Sequence, residues 1–94
     1  MPLLMRIGSW NLHGRWSDEH AKFLERLDCN VWLLTEVRTD VHLAGSHQVV
    51  TKALMTQDRH WSAILSRPGL KERDDPHPST AAAVVEGTTA RSTT

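Results

Sequence analysis

Arg6-Ile7-Gly8-Ser9-Trp10-Asn11-Leu12 and Val31-Trp32-Leu33-Leu34-Thr35-Glu36 decide the architecture, because they bracket a single helical pattern and differ in kind. The first stretch alternates, with Ile7, Ser9 and Asn11 on one face of a strand and Gly8, Trp10 and Leu12 on the other. His13-Gly14 then breaks it. The second begins as a continuous apolar run, the pattern of a strand covered on both faces, and ends on Thr35-Glu36. Between them Ser17 is placed to cap a helix over 18–28, with Asp18 and Glu19 in the first turn, where the helix dipole favours negative charge. Ala21, Leu24 and Leu27, joined by Phe23, recur at helical spacing, while Glu19, Lys22, Glu25 and Arg26 lie mostly off that stripe. Strand, helix and buried strand within about 32 residues match the length of a βαβ-like unit, whose two strands would be parallel or share a layer.

Working outward, Asn30 suits the turn after the helix. Gln48-Val49-Val50-Thr51, Ser62-Ala63-Ile64-Leu65-Ser66 and Ala81-Ala82-Ala83-Val84-Val85 read as further strands, with Pro68-Gly69 as a turn. Lys71-Glu72-Arg73-Asp74-Asp75-Pro76-His77-Pro78 is charged, broken by proline and without periodicity, the composition of a solvated loop. These patterns predict an α+β fold, one amphipathic helix packed on a mixed sheet, in a domain over 1–87. The Thr-rich 88–94 offers nothing to bury and is expected to be a frayed tail.

A chain of 94 residues has room for one modest core. Its 11 basic and 11 acidic residues cancel, so no overall positive field marks a nucleic-acid binder. Cys29 is the only cysteine, which excludes an internal disulfide and a multi-thiolate metal site. The opening residues carry neither a basic leader nor a long apolar run, so a cytoplasmic location and no membrane partner are expected.

Two polar residues end strands that would be neighbours: Asn11 and Glu36. If the strands run parallel, an amide oxygen and a carboxylate emerge at one sheet edge, a corner suited to a hard cation. Magnesium takes oxygen ligands, keeps several waters and uses only one or two protein carboxylates. The plainer reading makes Asn11 a turn residue bonding its own backbone and Glu36 a solvated strand end near Arg38. His13, beside the corner, could reach a substrate phosphate or serve only the turn. The six histidines show no zinc-ligand spacing. Lys52, Arg59, Arg67, Lys71 and Arg73 are interleaved with Glu72, Asp74 and Asp75, the mark of a mixed-charge surface. The four tryptophans fit core packing better than base stacking.

Ile7-Gly8-Ser9-Trp10-Asn11-Leu12-His13-Gly14, a helix, and Val31-Trp32-Leu33-Leu34-Thr35-Glu36-Val37-Arg38 together resemble the opening of the endonuclease/exonuclease/phosphatase family. Trp61-Ser62-Ala63-Ile64-Leu65-Ser66-Arg67 resembles a later core strand of the same family. The resemblance implies a partial DNase-I-like two-layer sandwich and a divalent-metal-dependent phosphoesterase, with nucleic acid among its possible substrates. It implies that Asn11 is the active-site asparagine and that Glu36 binds catalytic Mg2+ or Mn2+. Thr35 stands where the family usually has glutamine. The family's later Gly-Asp-x-Asn and Ser-Asp-His motifs, which activate water and stabilise the phosphoryl transition state, do not occur in these residues. Ser17-Asp18-Glu19-His20 resembles the latter only loosely and is better explained by helix capping. The expectation is therefore a phosphoesterase that is incomplete or inactive as this chain alone. The alternative is a non-catalytic half-domain that pairs with a protein partner completing the sandwich through an exposed sheet.

Overall fold

The computed structural model describes residues 5–85 and 88–93. Its elements run β1 (Ile7–Asn11), α1 (Asp18–Leu27), β2 (Val31–Arg38), β3 (His47–Val50), β4 (Leu54–Thr56), β5 (Arg59–Ser66), β6 (Leu70–His77), β7 (Thr80–Val85) and β8 (Thr88–Thr93). The first sheet has the order β1-β2-β5-β3, with β4 also joined to β5, and the second the order β6-β7-β8. β1 and β2 are parallel, Ile7 opposite Val31 through Asn11 opposite Thr35. β5 is antiparallel to β2, β3 and β4, so the first sheet is mixed and the fold is α+β, as expected.

Two cores explain the two hydrophobic patterns. Val31, Val49 and Ile64 of the first sheet meet Ala81, Ala83 and Val85 of β7, joining the sheets face to face. On the opposite face of the first sheet, Leu12, Leu24, Trp32, Leu34, Val37, Val41, Leu43, Ala63 and Leu65 form the second core. β2 and β5 serve both cores, and that double coverage is why Val31-Trp32-Leu33-Leu34 has no polar alternation. Gly8 is required by close approach: the Trp32 ring lies across it, where any β-carbon would overlap the indole. The polar bolt between the sheets is Ser62, fully buried, whose hydroxyl donates to Ser79 O at 2.8 Å and accepts from Ala81 N at 3.3 Å.

Ser17 caps α1, its Oγ accepting the His20 amide, and Asp18 and Glu19 occupy the first turn. The helix runs to Leu27 and closes on Asp28 in the left-handed conformation. Asn30 accepts the Arg6 amide at 2.9 Å and ties the entrances of β1 and β2 together. Of the apolar stripe only Leu24 is buried, while Phe23 is 41% and Leu27 37% exposed. The helix meets the first sheet near its β1 edge, where Phe23 packs on Trp10 with ring centroids 5.0 Å apart.

Two expectations are corrected. The charged 71–78 stretch is not a loop: Leu70–His77 form β6, antiparallel to β7. Charge and proline misled the reading because both are at home on an edge strand, where they discourage further pairing. Pro76 falls within the register shift between Arg73 and His77. Nor is 88–93 frayed, since Thr88–Thr93 pair with β7 from Val85 to Thr80. Backbone pairing gives this segment the stability its composition does not advertise, and threonine is a good strand former. No helix among the described residues is long and apolar enough to cross a membrane.

Candidate functional site

The parallel pairing delivers Asn11 and Glu36 to one corner. Asn11 Nδ2 donates to Glu36 Oε2 at 2.7 Å, a bond between residues 25 apart in sequence. The amide orientation follows from the chain itself: Asn11 Oδ1 accepts the His13 backbone N–H at 2.8 Å, so the nitrogen must face the carboxylate. Asn11 is thus both the turn residue of the plain reading and a clamp on Glu36. Its oxygen is engaged by the turn, which leaves the Glu36 carboxylate as the oxygen donor available at this corner.

The backbone here is unusual. Leu12 O accepts from Arg15 N at 2.9 Å, closing a tight turn through His13 and Gly14, both left-handed at φ 51° and 68°. Glu36 is left-handed as well, at φ 51°. Its carbonyl accepts Gly14 N at 2.8 Å, and Thr35 O accepts Leu12 N at 3.0 Å. The turn after β1 is therefore fastened to the distorted part of β2. The distortion also resets strand alternation, because Leu34 and Val37, three residues apart, both join the helix-side core. A left-handed non-glycine residue costs about 1 kcal/mol, and such strain concentrates at functional positions.

Glu36 is sheltered, with 18% of its side chain exposed, whereas that of His13 is 71% exposed. His13 Nδ1 stands 3.8 Å from Glu36 Oε2, so the His13 side chain sits at the rim of the corner while its backbone makes the turn. Arg38 is drawn away by Asp40, Nη2 to Oδ2 at 2.6 Å. His60, opposite Val37, holds Thr51 O at 2.7 Å through Nδ1, which must carry the proton because a carbonyl only accepts.

Arg59 escapes a sequence reading. Its guanidinium lies against Gly14, filling the space a β-carbon would need, and its Nε is buried without a hydrogen-bond partner. In sequence it is one more cation in a mixed-charge stretch. Only the β2–β5 register, which sets Arg59 opposite Arg38, carries it to this corner.

Among the described residues no group of three or more His, Cys, Asp or Glu side chains converges to cage a metal. One sheltered carboxylate, with one oxygen steadied by an amide, is a donor set that fits a hydrated Mg2+ or Mn2+ completed by substrate oxygens, and not zinc. No known protein family and no curated protein matches this chain.

Proposed function

We propose that this corner is the metal-binding part of a divalent-metal-dependent phosphoesterase site of the endonuclease/exonuclease/phosphatase type, on a partial DNase-I-like sandwich. The observation that carries the reading is the 2.7 Å bond from Asn11 to Glu36, which joins the two motifs that resemble that family. Glu36 would hold Mg2+ or Mn2+, and Asn11 fixes the rotamer and lone-pair direction of its carboxylate. The cation, when bound, supplies Lewis-acid polarisation of a phosphoryl oxygen. His13, at the rim, is placed to donate to a phosphate oxygen. Among the described residues at the corner none is positioned as a base for the attacking water, so binding should outrun hydrolysis in this chain.

The test is Mg2+-dependent binding and cleavage of a phosphodiester by the chain and by its Glu36→Gln variant. Binding that Mg2+ tightens and that loses this Mg2+ dependence in the variant, with turnover near background, is the expected result. Phosphodiester binding indifferent to both Mg2+ and Glu36 would overturn the reading. Robust cleavage abolished by the substitution would overturn the inactivity and retain the site.

A second reading, a non-catalytic half-domain paired with another chain, has one observation in its favour. Among the described residues β1 pairs only with β2, and its sequence has no charge, with Ile7 57% exposed. The β6 edge is guarded by Lys71, Glu72, Arg73 and Asp74. A concentration-dependent mass in light scattering favours this reading, and a monomer that binds Mg2+ disfavours it.

A further inference from the structure

We propose that Arg59 is an anion-binding residue that grips a phosphate group at the Glu36 corner. The inference rests on the proposed site for its location, but its own grounds are the state of the guanidinium. Among the described residues the Arg59 side chain has neither an ion pair nor a hydrogen bond. Two other arginines at strand ends differ: Arg38 is paired with Asp40, and Arg67 with Asp28. A cation with a buried donor and no acceptor has given up water without compensation, which costs on the order of 1–3 kcal/mol. Such a group is a waiting half of an interaction.

Its placement says which half is missing. The guanidinium rests on Gly14, whose amide bonds Glu36 O, in the turn whose His13 amide bonds Asn11 Oδ1. The acceptor needed is planar or tetrahedral, anionic and able to take parallel N–H bonds, as phosphate does and chloride does not. Glu36, the carboxylate of this corner, is bonded by Asn11 and not by Arg59. Glu36 is left to a cation while Arg59 is left to an anion, the division of labour a bound metal-phosphate requires. A metal on Glu36 removes the repulsion between its carboxylate and the incoming phosphate, so cation and anion should each tighten the other's binding.

The experiment is a titration of the full chain with inorganic phosphate against chloride at matched ionic strength. It follows the Arg59 Nε–Hε and Gly14 amide signals by NMR, first without and then with Mg2+. Saturable shifts of both signals are expected without metal, and they should persist in Glu36→Gln. Loss of the guanidinium in Arg59→Gln should weaken phosphate binding about tenfold, and Arg59→Lys, which keeps charge but not the fork, should recover only part of it. Absence of a saturable shift at Arg59, or undiminished binding in a folded Arg59→Gln, would overturn the proposal. If Arg59→Gln does not fold, undiminished phosphate binding in Arg59→Lys overturns it instead. Phosphate held by Arg59 with no Mg2+ at Glu36 would sink the metal reading alone, and Mg2+ at Glu36 with no phosphate at Arg59 would sink this one alone.

Discussion

The two ends of β2 are built from the same parts and put to opposite use. At its entrance stand a left-handed acidic residue, Asp28 at φ 54°, an asparagine bonded to the chain entering β1, Asn30, and an arginine just past β5, Arg67. At its exit stand Glu36 at φ 51°, Asn11 and Arg59. At the entrance everything is closed: Arg67 pairs with Asp28, its amide bonds Asn30 O at 2.9 Å, and both side chains face solvent. At the exit the carboxylate is sheltered and held by an amide, while the arginine side chain has no hydrogen-bond or ion-pair partner among the described residues. The entrance spends its polar groups on one another, whereas the exit keeps a carboxylate and a guanidinium available. That contrast, more than any single residue, is the ground for proposing the site at the exit.

The contrast can be broken in two ways. Asn11→Ala should produce the largest effect, because it strips partners from both a backbone amide and a part-buried carboxylate. A loss of about 2 kcal/mol in urea unfolding is expected, against about 1 kcal/mol for Asn30→Ala at the exposed entrance. Equal losses would mean that the exit is no more tightly organised than the entrance. Smaller effects come from relieving the left-handed backbone. Asp28→Gly should stabilise the fold by up to about 1 kcal/mol, since its surface ion pair contributes little. Glu36→Gly relieves the same strain but removes the Asn11 bond, so no net gain should appear. A gain matching that of Asp28→Gly would show that the Glu36 carboxylate has no structural anchor.

Much of this was legible in the chain, and the illegible part has a common cause. The parallel β1–β2 pair, the Ser17 cap and the meeting of Asn11 with Glu36 follow from signals within a few residues: period-two alternation, a continuous apolar run, a capping serine. The direction of the Asn11 amide was not legible, because it depends on a turn closed by left-handed His13 and Gly14. Arg59 was invisible because no spacing in the chain announces that β5 pairs with β2 or in what register, whereas the βαβ length announced the β1–β2 pair. β6 and β8 were hidden because edge strands carry the charges, proline and threonine of loops, and only their ladders with β7 distinguish them.

The central claim, that the exit of β2 takes a divalent cation through Glu36, is tested most directly with paramagnetic Mn2+ at substoichiometric concentration. Selective broadening of the Asn11 side-chain amide and of the Gly14 and Val37 backbone amides is predicted. It should be reversed by excess Mg2+ and abolished in Glu36→Gln, with no broadening around Asp28. Broadening at the entrance instead of the exit, or equal broadening in Glu36→Gln, would contradict it.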